Sequence, residues 1–152
     1  MILREAAPED AASCFAIYRD AVNGATLYSA EQRRAWASPE DDGVCMGPRL
    51  AAGCTWIAEE GGAPAGFLTA MPGGYLDFFY VRPGQRGTGL SAALYARFLD
   101  WAEATGEDTL TTHASHHARR FLEPRGWIVL EKETVTRSGV PLTRWRMALV
   151  RT

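Results

Sequence analysis

The chain has 152 residues, 47% of them hydrophobic, and a formal charge of −2. That is enough for one domain, 1–152, with a sizeable core, and the near-balanced charge argues against nucleic acid as the main partner. No apolar run reaches the length of a membrane span, and the opening MILREAAPED lacks signal-peptide character. Cys14, Cys45 and Cys54 stand at no metal-ligand spacing, so they read as reduced thiols of a cytoplasmic protein.

Met1–Arg4 reads as a short first strand. Pro8-Glu9-Asp10 then starts a helix, with proline at the first position and acids in the first turn. Ala11, Phe15, Tyr18 and Val22 give that helix an apolar face with Cys14 beside it, and Asn23-Gly24 ends it. Tyr28–Gln32 opens a second helix, with Ser29 and Gln32 in a capping-box pattern. Ser38–Gly53 is a connection with one helical turn around Pro48–Ala52. Thr55–Glu59, Pro64–Met71 and Tyr75–Val81 follow at the spacing of an antiparallel meander.

Beyond Pro83-Gly84 lies a loop carrying Gly84, Gly87 and Gly89. Apolar residues then recur at Leu90, Leu94, Phe98 and Trp101, the spacing of a helix that Gly106 stops. Thr109–His113 reads as a strand, parallel to Tyr75–Val81 if the crossover is right-handed. His116–Pro124 is a short helix, and Trp127–Thr136 and Val140–Val150 form a final hairpin around Ser138-Gly139.

Strand, glycine turn and amphipathic helix make up Tyr75–Gly106, and that order has a chemical use. The first turn of a helix has backbone N–H groups without internal partners, and glycines let an anion approach them. Arg86-Gly87-Thr88-Gly89-Leu90-Ser91 therefore reads as a phosphate cradle; the plain alternative is a turn that only reverses the chain. As a P-loop it lacks the lysine, since Leu90 occupies that place. As a dinucleotide fingerprint, Gly87-x-Gly89-x-x-Ala92 is followed by Asp108 on the wrong side of the next strand, with too little chain for a doubly wound sheet.

The third reading fits more of the chain. Val81-Arg82-Pro83 followed by Arg86-Gly87-Thr88-Gly89-Leu90-Ser91 resembles the strand end and pyrophosphate loop of the GNAT superfamily of acetyl-CoA-dependent N-acetyltransferases. That pattern is Arg/Gln-x-x-Gly-x-Gly/Ala, with Ser91 here in the last small position. Ala118-x-x-Phe121-Leu122-Glu123-x-x-Gly126-Trp127 resembles the family's second CoA-side helix, with Leu122 where a tyrosine is usual. Tyr28-Ser29-x-x-Gln32-x-x-Ala35-Trp36 and the Glu133-x-Val135-x-Arg137-x-Gly139-Val140-x-Leu142-Thr143 tail are similar to one bacterial subgroup of mostly unassigned substrate. The implied fold is α/β: a mixed, mostly antiparallel sheet of about seven strands, helices on both faces and a splayed parallel pair at the centre.

The resemblance also implies roles. Acetyl-CoA would be the cosubstrate, with no metal. Phe79, Tyr80 and Val81 would meet its pantetheine arm through main-chain groups, and the N–H near Tyr80 would face the thioester oxygen. Arg86, Gly87, Thr88, Gly89, Leu90 and Ser91 would hold the pyrophosphate, Ser115 would replace a CoA-contacting asparagine, and Arg119 and Arg120 would reach the adenosine phosphate. Tyr28, Gln32 and Trp36 would lie over the acceptor cleft, although aromatics there serve equally to pack a helix on a sheet.

Asp77 is the first choice for general base. A carboxylate in an aromatic strand is expensive to bury without purpose, and strict alternation puts it on the face of Phe79 and Val81. Leu122 cannot protonate the leaving thiolate, so His113, at the end of the strand lining the splay, is the candidate acid. The alternative is protonation by water or by the emerging ammonium. His116 and His117 are expected on the helix surface. The expected activity is direct acetyl transfer to a primary amine of a small molecule or peptide, with no nucleic-acid or membrane partner and homodimerisation left open. The rival is an acyl-CoA-binding sensor without efficient turnover. Asp41, Asp42, Asp77, Glu131 and Glu133 suggest a cationic acceptor.

Overall fold

The structure, a computed structural model, describes residues 1–151. Seven strands form one sheet: β1 (Ile2–Glu5), β2 (Cys54–Glu60), β3 (Ala63–Met71), β4 (Tyr75–Val81), β5 (Thr109–Ala114), β6 (Ile128–Arg137) and β7 (Val140–Val150), in the order β1-β2-β3-β4-β5-β7-β6. Every adjacent pair is antiparallel except β4–β5. The helices are α1 (Ala11–Asn23), α2 (Ala30–Trp36), α3 (Met46–Ala51), α4 (Leu90–Thr105) and α5 (His116–Leu122). The expected α/β architecture is therefore the observed one, and no helix among the described residues is long and apolar enough to cross a membrane.

Alternation of side chains along the strands builds a core on each face. Trp56, Leu68, Ala70 and Leu76 pack against Leu94, Phe98 and Ala102 of α4 and Leu122 of α5. Ile57, Phe67 and Phe78 point the other way, onto Cys14 and Ile17 of α1 and Met46 and Leu50 of α3. Each fully buried side chain of this size contributes roughly 1.5–3 kcal/mol.

Three local differences from the sequence reading matter. The buried face of α1 is Cys14, Ile17, Ala21 and Val22; Phe15 and Tyr18 are only half-buried, because they flank a cavity at the edge of that core. The turn expected around Pro48–Ala52 begins earlier, as α3. Most consequential, β4 is bulged: Thr69 pairs with Phe78, but Ala70 pairs with Leu76. Asp77 is the extra residue, so strict alternation fails there.

The parallel pairing of β4 with β5 is short. It covers Tyr75–Thr111 and Leu76–Thr112, and then the strands part. Past that point β4 pairs only with β3, while His113 and Ala114 pair only with β7. The fold thus leaves a gap in the middle of its own sheet, between the bulge and the N-termini of α4 and α5.

Candidate active site

Two cavities meet at this gap. The larger, about 400 Å³, lies between the end of α1, the parted half of β4 and the first turns of α4 and α5. The smaller, about 250 Å³, lies on the α1–α3 side and reaches β7. Trp36 and Tyr80 line both, so they form a shared wall.

Backbone groups dominate the larger cavity. Arg82 N–H donates to Ala65 O at 2.8 Å, which makes that a hydrogen-bonded pair of the β3–β4 ladder. Alternation then directs the Tyr80 N–H towards Phe67 and leaves the amides of Phe79 and Val81 facing the gap. Near Tyr80, then, the amides left free are those of Phe79 and Val81, and Tyr80's own is committed to β3. The Tyr80 side chain lies on the α1 side against Tyr18 and Phe67, where burial pushes its phenol pKa up.

At the far end of the cavity, Gly89 caps α4 with φ 89° and Gly87 has φ 78°. The first helical bond is Ala93 N–H to Gly89 O at 3.0 Å, so the amides of Leu90, Ser91 and Ala92 precede any internal acceptor. Gly87, Gly89 and Ser91 line the cavity. Leu90 contributes main chain only: its side chain is fully buried and would meet a Cβ placed on Gly66 at 2.6 Å. Thr88 does not line the cavity, and its hydroxyl donates to Gln85 O at 2.6 Å to hold the turn. Arg86 lines it but donates to Gly24 O and Ala21 O, both at 3.2 Å, which ties the loop to the end of α1.

Ser115 lines the cavity and caps α5, its Oγ accepting from Ala118 N–H at 3.3 Å. Arg120 is exposed and lies outside the lining, and the Arg119 guanidinium stacks over Trp145 at 4.6 Å while bonding Glu123. The basic side chains that do line it, besides Arg86, are Arg33 and Arg125, the latter 3.6 Å over the Phe121 ring. The sequence reading missed both, because each lies in an unspecified position of a motif: Arg33 between Gln32 and Ala35, and Arg125 between Glu123 and Gly126. His117 was expected on the surface. Instead it lines this cavity, and its buried Nε2 has no hydrogen-bond partner among the described residues. Burial first, then the charges of Arg86 and Arg120, lower its pKa. His116 is sandwiched between Tyr28 (4.8 Å) and Trp145 (4.5 Å).

Of the expected acceptor residues, Tyr28 lines the larger cavity and is buried. Its hydroxyl donates to Thr143 O at 2.9 Å and accepts His116 N–H at 3.2 Å. Gln32 lines neither cavity, because its amide completes the capping box with Ser29 and donates to Pro141 O at 3.2 Å. Leu122, in the place of the usual tyrosine, is fully buried in the core beside α4.

Side chains build the smaller cavity. The bulge turns Asp77 onto the side of Phe78 and Tyr80, not that of Phe79 and Val81, and there it accepts from Arg49 at 2.7 Å. Arg49 in turn sits 4.2 Å over Phe78. His113 lines this cavity and not the larger one. Its Nδ1 is 2.8 Å from the Tyr75 hydroxyl, and its Nε2 is 3.7 Å from Glu133, which also receives Arg144 at 3.0 Å. Partial burial, then the Arg144 charge, lower the imidazole pKa, with Glu133 opposing. Asp77 and His113 therefore flank the start of the gap from the same side. The sequence had put one with the larger cavity's face and the other at the thioester.

A cleft with free strand amides, an open helix N-terminus and arginines around it suits an extended ligand with phosphates; an adjoining pocket with carboxylate, imidazole and phenol suits proton transfer. Residues 26–149 match the sequence model of the acetyltransferase (GNAT) domain. A GCN5-related N-acetyltransferase from Rhodopseudomonas palustris superposes with a TM-score of 0.91 at 34% identity, covering 98% of this chain and 94% of that one. In fold alone, the chain is similar to a PaiA N-acetyltransferase from Thermoplasma acidophilum in complex with coenzyme A (TM-score 0.76, 14% identity, 98% of both chains). It is likewise similar to YncA, a putative acetyltransferase from Salmonella typhimurium with its cofactor acetyl-CoA (0.68, 21%, 100% and 94%). No curated protein sequence matches. The chain belongs to the GNAT acetyltransferase superfamily.

Proposed function

We propose that the protein transfers an acetyl group directly from acetyl-CoA to a primary amine of a small molecule or peptide. The observation that carries this reading is the meeting of the two cavities at the parted strands. One offers amides and a helix N-terminus; the other offers titratable side chains. Two of the solved structures of this fold are described with coenzyme A or acetyl-CoA, which supports the same cosubstrate here.

In this reading the amides of Leu90, Ser91 and Ala92 hold the pyrophosphate, and the amides of Phe79 and Val81 bind the pantetheine arm. One of that pair donates to the thioester oxygen as negative charge develops on it. The acceptor enters the smaller cavity. Its nitrogen lone pair attacks the carbonyl carbon, the C–S bond breaks, and an amide and CoA are formed. His113, neutral at pH 7 with its lowered pKa, takes the amine proton. Asp77, oriented by Arg49, accepts a hydrogen bond from the same nitrogen and aligns it. The leaving sulfur takes its proton from water, since Leu122 offers none.

Thiol release in the presence of acetyl-CoA and a panel of amines tests the reading. Amine-dependent CoA release is expected. The burial of Leu122 favours one second reading, an acyl-CoA sensor. Tight acetyl-CoA binding without release from any amine would replace the enzyme with that sensor.

A further inference from the structure

The smaller cavity is more cationic than its sequence neighbourhood suggested. Asp42 and Glu131 do not line it, Glu133 is held by Arg144 at 3.0 Å, and Asp77 is held by Arg49 at 2.7 Å. Asp41 lines it, but its Oδ1 accepts Gly43 N–H at 2.9 Å and closes its own turn. Against these stand three guanidinium groups delivered by separate elements: Arg49 from α3, Arg137 from the end of β6 and Arg144 from β7. Arg137 alone of the three makes no ion pair and no side-chain hydrogen bond among the described residues. It is exposed, so it sits at the rim, while Asp77, only 13% exposed in its side chain, lies deeper.

We propose that the acceptor is an amine that also carries an anionic group, a carboxylate or a phosphate, and that Arg137 binds this group at the rim of the smaller cavity. This rests on the reading of that cavity as the acceptor site. The guanidinium fork matches either anion with two parallel N–H donors. The acceptor then spans the cavity with its amine at Asp77 and His113 and its anion at Arg137. A diamine of the same length would bring its second ammonium against a guanidinium that makes no ion pair among the described residues, so the arrangement also selects against polycations.

The test is calorimetric titration of the full chain, with and without saturating CoA, using matched amines that differ only in the anion. Tyrosine is set against tyramine, lysine against cadaverine, and O-phosphoethanolamine against ethanolamine. At least one anionic member should bind roughly 10- to 100-fold more tightly than its partner, as expected for a hydrogen bond between charged groups. The carboxylate and phosphate arms identify which anion is read. Arg137→Gln should erase that preference while the affinity for CoA stays as it was. Equal or tighter binding of the amines without an anion overturns the proposal, and so does failure of every anionic member to bind at millimolar concentration. A preference that survives Arg137→Gln but is lost in Arg144→Gln removes Arg137 from it. Failure to bind CoA would instead undo the parent reading, and the titrations without CoA would still decide the charge preference.

Discussion

The two cavities are made of different material. The larger one owes its chemistry to main-chain groups: amides freed where β4 leaves β5, and amides left over at the start of α4. Backbone geometry is set by a few local signals, namely two glycines in the left-handed region and a strand that ends at Val81, two residues before Pro83. The smaller one owes its chemistry to side chains from α1, α3, β4, β5, β6 and β7, brought together only by the complete sheet. A backbone site tolerates most side-chain changes and resists few glycine changes; a side-chain site behaves in the opposite way.

Substitutions can break that contrast, beginning with the largest effect. Gly89→Trp forces a bulky residue to φ 89° and fills the cradle. It should lower acetyl-CoA affinity by more than about 100-fold, roughly 2.7 kcal/mol, as read by calorimetry. Retained affinity would remove the helix N-terminus from the cofactor site. Thr88→Ala, in the same loop, should leave affinity within a few fold, because that hydroxyl bonds Gln85 O and does not face the cavity.

In the smaller cavity, His113→Gln should reduce kcat by about 10²–10⁴ with acetyl-CoA affinity intact. In the wild type the base must be neutral. Its pKa lies below the ordinary 6.5, so kcat, measured at saturating acceptor to remove the free amine's own ionisation, should show an acidic limb only as pH drops below 6.5. An acidic limb centred well above 6.5 would assign the proton to another group. Asp77→Asn should cost less, on the order of tenfold in kcat, since it keeps the hydrogen-bonding shape but loses the charge that pairs with Arg49. Full activity would leave Asp77 a purely structural partner of α3.

The smallest effect concerns the wall between α2 and the sheet. Tyr28→Phe removes one donor to Thr143 O and one acceptor for His116 N–H, and should destabilise the fold by about 1 kcal/mol in chemical denaturation. A loss of activity without any loss of stability would turn Tyr28 from a strut into an acceptor contact.

The same contrast explains what could be read from the residues beforehand. The strand, the glycine turn and the helix were legible, because they are contiguous between Tyr75 and Gly106. So was the capping box of Ser29 and Gln32, although the side chain that completes it is thereby unavailable to a substrate. The bulge at Asp77 was not legible. Nothing in TAMPGGYLDFF marks where two strands change step, and one extra residue moved the carboxylate to the other side of the sheet. His113 followed the same logic: its place near the strand end was clear, but the cavity it faces depends on β7 and Tyr75. Arg137 and Arg144 sit on a hairpin far from the glycine loop in sequence, and no spacing rule connects them to Arg49.

The central claim is that acetyl-CoA occupies the larger cavity and reaches the smaller one only at the shared wall of Trp36 and Tyr80. Amide chemical-shift mapping during an acetyl-CoA titration tests it most directly. The largest shifts are expected at Phe79, Val81, Gly87, Gly89 and Ser91, with Asp41, Arg49 and Arg137 little changed. Shifts centred on Arg49, Arg137 and Arg144, with the Gly87–Ser91 amides silent, would contradict it.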